Sequence, residues 1–250
     1  MFNVGLQKCW RAEPVLWVSL LCGVGYAREP CDAEAKLLIS STQTQQALTA
    51  LHAGKPSSRL VYLYDTDQLD LLSHGLIVRL RTGGQGDLTL KLRSNKKEAC
   101  TCPSEGGEAA KCEADLVGSD VLTSYSIRKG LKGLSFPRTG GQVHSALSVE
   151  QLKVLSVEGI SVDWLRVKPK AKIQSTDWTA RPSGPLKKVT IELWEWPGGT
   201  ILELSTKADL QKGTAVLREL RALAENSGLS VPQNQIAKTS LVLHASSASH

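Results

Sequence analysis

A chain of 250 residues can bury a sizeable core as one domain or as two small ones. Its net charge of +6 and pI near 9.0 favour anionic partners, although this balance identifies no particular ligand. Aromatic residues make up only 5% of the chain and do not interleave with the basic ones. This composition argues against a surface that stacks nucleic-acid bases, so no base recognition is expected.

The N-terminus has the pattern of a secretory signal peptide. Lys8 and Arg11 precede a short apolar run over residues 15–24, and small residues lead to a cleavage site after Ala27. The run is too short to span a bilayer comfortably, and no other apolar stretch approaches that length. We therefore predict that residues 1–27 are removed and that the protein is exported, to the periplasm or outside the cell, without a membrane span. An uncleaved anchor is the alternative.

Four cysteines remain after this cleavage: Cys31, Cys100, Cys102 and Cys112. In an exported protein this even number predicts two disulfides, whose three possible connectivities the sequence leaves open. Zinc is disfavoured because the cysteines lack a zinc-ribbon spacing and no histidine lies near them.

The first part of the mature chain alternates predicted strands with short helices. In the first strand, residues 31–39, the charged Asp32, Glu34 and Lys36 share one face, because side chains alternate across a strand. The next predicted elements are a helix over 42–52, a strand over 59–65 and a helical turn over 67–73 that Gly75 ends.

Residues 76–82 and 87–93 predict a β-hairpin with one basic face. The cations on this face are Arg79, Arg81, Lys91 and Arg93, and leucines dominate the other face. We expect Arg79 to pair with Lys91, which leaves residues 84–86 as a three-residue loop with one glycine in the left-handed conformation. Four like charges this close repel one another unless an anion binds among them, and phosphate suits both Arg and Lys. The alternative is a basic face that is simply solvated.

The middle of the chain predicts a polar loop, a strand and two helices. Lys111, Glu113 and Asp115 share one face of that strand, and Ser148 with Gln151 forms a candidate capping box for the second helix. The predicted bounds are 94–110 for the loop, 111–117 for the strand and 119–157 for the two helices.

The last third predicts a basic strand, a hairpin, an amphipathic helix and a closing strand. In the basic strand Arg166, Lys168 and Lys170 alternate with apolar residues, and Pro169 indicates a strand end or a position without ladder hydrogen bonds. In the hairpin Glu203 shares its face with Ser205 and Lys207. The predicted bounds are 163–173, 189–196 and 200–206 for these strands, 208–226 for the helix and 236–244 for the closing strand.

These motifs, taken in order, resemble the CYTH family of triphosphate tunnel metalloenzymes from about residue 29 to residue 245. The matching stretches are Asp32-x-Glu34-x-Lys36, Asp65-Thr66 with Gly75, Arg79-x-Arg81, Leu88-Thr89-Leu90-Lys91, Lys111-x-Glu113-x-Asp115 and Lys238-Thr239-Ser240-Leu241. Two positions depart from the family pattern. Asp32 stands where the family usually has Glu, and Ser205 replaces the second acid of a Glu-x-Glu strand.

The resemblance implies an α+β fold, an eight-stranded antiparallel closed β-barrel that forms a tunnel, with helices packed outside. A single domain over residues 29–245 would follow the signal peptide. Charged strand faces would then line the tunnel, whereas periodicity alone also allows them to face solvent.

The resemblance also implies roles for the charged residues. Substrate binding falls to Lys36, Arg79, Arg81, Lys91, Arg166, Lys168 and Lys170. Oxygen ligands for Mg²⁺ or Mn²⁺ would come from Asp32, Glu34, Glu113, Asp115 and Glu203, because carboxylates bind these hard cations. Catalysis would depend on Glu34, Lys36 and Lys91, since positioned cations stabilise the charge of phosphoryl transfer.

The implied function is an exported, metal-dependent triphosphatase that acts on inorganic tripolyphosphate or a nucleoside triphosphate. Adenylyl cyclase activity, also known in the family, is disfavoured because an exported enzyme would lack an ATP pool. The alternative is a non-catalytic protein that binds polyphosphate or another polyanion in the same basic tunnel. Asp32 and Ser205 motivate this alternative, since both shorten or remove metal ligands.

Overall fold

The computed structural model describes residues 31–83, 86–94, 110–131 and 136–248. The predicted signal peptide, residues 1–27, lies outside these ranges. No helix in the described ranges is both long and apolar enough to cross a bilayer.

Nine strands and six α-helices make up the described part of the chain. The strands are β1 (Asp32–Ile39), β2 (Ser57–Asp65), β3 (Leu76–Arg81), β4 (Asp87–Ser94), β5 (Ala110–Val117), β6 (Asp120–Gly130), β7 (Lys168–Ala180), β8 (Val189–Trp196) and β9 (Gly199–Asp209). The helices are α1 (Thr44–Ala50), α2 (Asp70–Ser73), α3 (Gly140–Ala146), α4 (Val149–Val157), α5 (Gly213–Asn226) and α6 (Lys238–Ser247).

The strands close into a barrel, in the order β1-β5-β6-β4-β3-β2-β7-β8-β9, with β9 paired back to β1. The β1–β5 pair is parallel, and the other pairs are antiparallel. The predicted closed barrel is therefore confirmed in kind. The prediction of eight antiparallel strands is wrong, because the barrel has nine strands within the described residues and one parallel pair. Closure leaves no exposed sheet edge.

Helices cover the outward apolar faces of the barrel. Leu51 and Leu220, at α1 and in α5, pack over the β1, β8 and β9 side. Val143 and Leu155, from α3 and α4, pack over the β3 and β4 side against Leu90 and its neighbours. Each fully buried leucine contributes about 1.5–3 kcal/mol. The apolar faces thus look outward to the helices, which leaves the charged faces to line the lumen.

The predicted capping box at the start of α4 is present. The Ser148 hydroxyl accepts a hydrogen bond from the backbone N–H of Gln151, and the Gln151 side chain accepts one from the backbone N–H of Ser148. The same Gln151 amide donates at 3.0 Å to the carbonyls of Leu88 and Ile127. The cap therefore also anchors α4 to β4 and β6.

Strand β6 lies where the sequence predicted the start of a helix. Its residues alternate, with Tyr125 and Ile127 buried on the outer side and Ser126 and Arg128 facing the lumen. This segment pairs with β4 and β5 on its two sides. Two ladders of hydrogen bonds and a period of two outweigh any helical preference here.

The predicted closing strand over 236–244 is instead helix α6. Thr239, Val242 and Leu243 are its buried residues, at the spacing of one helical face. Val242 and Leu243 pack against inward-facing residues of the barrel, including Ile173 and Trp194. The apolar residues of this segment are therefore buried as part of a helix that fills one end of the barrel, and they do not form a further strand.

The β3–β4 hairpin has a different register from the predicted one. Arg79 lies opposite Thr89, and Lys91 lies opposite Ile77, so the pairing of Arg79 with Lys91 is wrong by two residues. An even shift leaves every side chain on its predicted face. The basic face of the hairpin is accordingly where the sequence placed it.

Cys31 and Cys112 lie next to the site strands but point away from the lumen. Both are buried, both are disulfide-bonded, and both pack in an outer cluster with Tyr125 and Ile127. The sequence left the connectivity open among three possibilities, and Cys100 and Cys102 fall outside the described residues.

The turn between α2 and β3 requires glycine at position 75. Gly75 has φ +71°, a Cβ there would lie 2.3 Å from the carbonyl oxygen of Arg93, and the Gly75 carbonyl accepts from the Arg93 N–H at 2.8 Å. We expect Gly75→Ala to lower the free energy of unfolding by about 1–3 kcal/mol, because it adds both strain and a clash. Urea unfolding measures this. Gly141→Ala is the control, since a Cβ there meets nothing within 4 Å. Equal losses in the two variants would contradict the prediction.

Candidate anion-binding site in the barrel

A cavity of about 310 Å³ occupies the lumen of the barrel. Among the described residues, nine basic and five acidic side chains line it. The basic ones are Lys36, Arg59, Arg79, Arg81, Lys91, Lys111, Arg128, Lys207 and Lys238. The acidic ones are Glu34, Glu113, Asp177, Glu192 and Glu203. The excess of cations makes the lumen attractive to an anion.

Asp115 is the central counter-ion of the lumen. Its side chain is completely buried, and its carboxylate lies 2.8 Å from the ammonium of Lys36, 2.9 Å from that of Lys91 and 3.2 Å from the guanidinium of Arg93. β1 supplies Lys36, β4 supplies Lys91 and Arg93, and β5 supplies Asp115. One carboxylate therefore ties three strands together across the barrel wall.

The charges in this cluster and their burial shift the pKa values of Asp115, Lys36 and Lys91. Burial raises the pKa of Asp115, but Lys36, Lys91 and Arg93 outweigh it and hold the pKa far below its usual range. Burial lowers the pKa of Lys36, but the carboxylates of Asp115 and Glu34 outweigh it and raise that pKa. For Lys91 burial prevails over the attraction of Asp115, and the pKa falls to about 8. Asp115 and Lys36 are therefore charged at neutral pH, and Lys91 is predominantly charged.

Arg79 is a half-buried cation that no carboxylate contacts in the described part of the chain. Its Nε atom is buried and has no hydrogen-bond partner. Burial, together with the nearby charge of Arg81, lowers the pKa of Arg79 to about 10, so it keeps its charge at neutral pH. A buried donor without a hydrogen-bond partner costs free energy, and more so when its group is charged. An anionic ligand in the lumen would remove this cost.

The closed end of the lumen carries a second cluster, built around Lys238 of α6. The Lys238 ammonium contacts the carboxylate of Glu192, lies 2.7 Å from that of Glu203 and sits 4.6 Å from the ring centroid of Trp194. Burial raises the pKa of Glu192, but Lys238 outweighs it and lowers that pKa to about 2. Ser175 and Trp194 also donate hydrogen bonds to Glu192, at 2.9 and 2.7 Å. Lys238 therefore ties the plugging helix to β8 and β9.

Most of the predicted site residues meet in this cavity. Its wall contains Glu34, Lys36, Arg79, Arg81, Lys91, Glu113 and Glu203. Asp115 lies directly behind the wall, in contact with Lys36 and Lys91. Arg81 is paired with Asp87 at 2.7 Å.

Asp32 is not brought to the cavity. It is exposed at the start of β1 and lines an adjoining groove with Asp209 and Lys212, which shares Glu34, Ser205 and Lys207 with the cavity. A residue at the end of a strand can lie outside the lumen even when it is on the inward-facing side of that strand. A role for Asp32 as a metal ligand is therefore not supported by its position.

Arg166, Lys168 and Lys170 also lie outside the cavity, contrary to the sequence prediction. Arg166 contacts Asp70 at 3.6 Å, and Lys168 and Lys170 both bind Asp67, at 2.8 and 3.0 Å. The predicted phase of β7 is wrong, because its odd-numbered residues Ala171 and Ile173 face inward, and the β2–β7 pairing is also irregular at this point. Its register shifts where the partners of Leu63 and Tyr64 are Ala171 and Pro169, so the ladder skips Lys170.

The sequence prediction missed several basic residues of the lumen. Arg59 comes from β2 and pairs with Asp177 at the mouth, Arg128 comes from β6, and Lys238 comes from α6. The alternation of β2 and β6 could have indicated the first two. Lys238 could not have been placed, because its position depends on α6 folding back into the barrel.

Asp65, part of the motif that carries the family resemblance, has a structural role. Its buried carboxylate accepts hydrogen bonds from the backbone N–H groups of Thr66, Leu71 and Leu72, at 2.8, 2.9 and 3.0 Å. These bonds fix the turn into α2. The motif therefore marks the fold here and contributes nothing to the lumen.

The carboxylates of the lumen do not form a metal site in this arrangement. Within the described residues, no group of three or more His, Cys, Asp or Glu side chains is placed to hold a metal ion. Glu34 lies 3.2 Å from Lys36, Glu113 lies 3.3 Å from Lys207, and Glu203 is bound by Lys238. One oxygen of each of these carboxylates is thus engaged by an ammonium group, and within the described residues no three such side chains converge, so the donor set does not fit the implied metal.

The buried cluster predicts a large effect for Asp115→Asn. Removing its charge takes away the carboxylate that Lys91 and Arg93 contact and leaves Lys36 with Glu34 alone, so we expect a loss of about 3–5 kcal/mol in the free energy of unfolding. Tripolyphosphate should restore part of this loss by supplying negative charge. Chemical unfolding with and without tripolyphosphate measures both effects. Asp177→Asn is the control, because its partly exposed pair with Arg59 should contribute about 1 kcal/mol or less. A loss as small as that of the control would show that Asp115 is not the central counter-ion.

Known structures share this barrel, although no sequence-family model and no curated protein matches the chain. A candidate adenylyl cyclase from Hippeastrum with a dominant triphosphatase activity aligns with a TM-score of 0.59 and 16% identity, over 85% of this chain and 94% of that one. A candidate adenylate cyclase from Bacillus halodurans aligns with a TM-score of 0.50 and 14% identity, over 83% and 93% of the two chains. These identities establish the fold alone. The chain therefore shares the closed-barrel fold of these two proteins, and this is the kind of fold that the resemblance of its sequence motifs implies.

Proposed function

We propose that this protein binds the triphosphate group of its substrate in the barrel lumen and hydrolyses it. The observation that carries this proposal is the excess of cations over carboxylates in the lining of the lumen, together with Arg79, which no carboxylate contacts in the described part of the chain. The triphosphatase activity of the Hippeastrum protein, which shares the fold, supports the same chemistry. Inorganic tripolyphosphate and nucleoside triphosphates are the substrates that we propose.

The lumen suits a chain of phosphates because its cations come from opposite sides of the barrel. Lys36 on β1, Arg79 on β3 and Lys91 on β4 all line the same cavity. Charges in such a partly desolvated site interact more strongly than in water. In phosphoryl transfer, fixed cations around the transferred group stabilise its equatorial oxygens. These three residues would bind the triphosphate and hold it in one orientation.

The plugged end determines how a substrate enters. Because α6 and its Lys238 occupy one end, the ligand enters from the mouth, where Arg59, Lys111 and Arg128 lie. An organic group attached to the triphosphate would therefore stay near the mouth, outside the narrow lumen. This arrangement favours recognition of the phosphates over recognition of the group that carries them.

Activation by Mg²⁺ or Mn²⁺ and export from the cytoplasm belong to the proposal as expectations from the sequence. Because the lumenal carboxylates are engaged by lysines, we assign no step of the reaction to a metal. Export, predicted from residues 1–27, favours inorganic tripolyphosphate over cyclisation of ATP.

The proposal is tested by phosphate release from tripolyphosphate, ATP and thiamine triphosphate, with Mg²⁺ or Mn²⁺ present. We expect turnover of at least one substrate, and we expect Arg79→Gln to reduce it by about 10²-fold or more, because one charged donor to the transferred group is lost. Arg166→Gln is the matched control, since Arg166 lies outside the cavity. It should leave the rate unchanged.

Phosphate release from none of the substrates would reject the hydrolase. Binding of tripolyphosphate without turnover would then support the polyanion-binding alternative. Equal effects of Arg79→Gln and Arg166→Gln would show that the reaction takes place elsewhere on the protein.

A further inference from the structure

We infer that the barrel binds its polyanionic ligand directly through ammonium and guanidinium groups, with no divalent cation between ligand and protein. This inference rests on the proposed ligand class and concerns the binding step, which is separate from turnover. It arises from the mismatch between the carboxylates of the lumen and the metal that the resemblance implies.

The first observation is that lysines hold the carboxylates that would be metal ligands. The Lys36 ammonium lies 3.2 Å from Glu34 and 2.8 Å from Asp115. The Lys238 ammonium lies 2.7 Å from Glu203. A divalent cation would have to compete with these ammonium groups for the same carboxylates, and its charge would repel the lysines that are already bound there.

The second observation concerns β9, which presents Glu203, Ser205 and Lys207 to the lumen. Ser205 stands where the resemblance places the second acid of a Glu-x-Glu pair, and a hydroxyl is a weaker ligand than a carboxylate for Mg²⁺ or Mn²⁺. Lys207 follows on the same face, and its ammonium lies 3.3 Å from Glu113. This strand therefore supplies positive charge where a metal-binding strand would supply a pair of acids.

At the mouth of the barrel, lysine side chains occupy the place of a metal ion beside Glu113. Two ammonium groups, from Lys111 on its own strand and from Lys207 on β9, bind the same oxygen of its carboxylate. Their combined charge equals that of one divalent cation. The carboxylate thus has the counter-charge that a metal would provide, from side chains that are part of the barrel.

The third observation is that cations remain after the lumenal carboxylates are paired. Arg79 has a buried Nε without a partner, and Arg128 lines the cavity as well. A phosphate chain can satisfy such groups by direct hydrogen bonds, which are strong when both partners are charged. The ligand therefore needs no metal to be neutralised.

Titration calorimetry of the full chain with tripolyphosphate, in excess EDTA and in Mg²⁺ or Mn²⁺, tests the inference. We expect the affinity in EDTA to be at least as high as in metal, because the metal-free ligand carries more negative charge. Ser205→Glu restores the second acid of the strand. We expect this variant to lose about tenfold or more in affinity in EDTA, through repulsion of the ligand, and to regain affinity when metal is added. Ser183→Glu, at an exposed loop position, is the matched control and should behave like the wild type.

Loss of wild-type binding in EDTA with recovery in metal would overturn the inference and leave the proposed hydrolase standing. Absence of binding under both conditions would overturn both. If Ser205→Glu does not fold, which thermal unfolding would show, the comparison of EDTA with metal on the wild type still decides the question.

Discussion

The structure depends on burying charge inside a closed sheet, and Asp115 makes this possible. Its fully buried carboxylate neutralises Lys36, Lys91 and Arg93 from two other strands. Without it, alternating strands could not turn their charged sides inward, since an unpaired buried charge costs several kcal/mol. The outward sides are then free to be apolar, and the packing of α1, α3, α4 and α5 on them supplies the hydrophobic stabilisation.

Neutralisation in the lumen is incomplete, and this has a functional consequence. The lining contains more basic than acidic side chains among the described residues, and Arg79 is the clearest cation left over. A bound polyanion would neutralise the excess positive charge of such a site, so ligand binding should raise the free energy of unfolding of the protein. Charge pairing in the lumen also stabilises the fold, because the contacts of Lys238 with Glu192 and Glu203 help to hold α6 in the end of the barrel.

The faces of the strands could be predicted from the sequence because alternation is a local property. It placed Glu34 and Lys36, Arg79 and Lys91, and Glu113 and Glu203 on the inward sides, and a register error of two residues in the hairpin did no harm. The predictions that were wrong concern features that depend on contacts with residues far away in the sequence. Lys170 leaves the ladder because β2 and β7 shift register, β6 is a strand because β4 and β5 flank it, and the apolar run of α6 is a helix because it fills the barrel end. No local pattern distinguishes these outcomes.

The central claim is that the inward cations form a site for a phosphate chain. A crystal structure of the full chain grown with tripolyphosphate tests it most directly. The account predicts tripolyphosphate inside the barrel, with its oxygens within hydrogen-bond distance of the Arg79 guanidinium and the Lys91 ammonium. Tripolyphosphate bound on the outer surface, with Arg79 paired to a carboxylate of the protein, would contradict it.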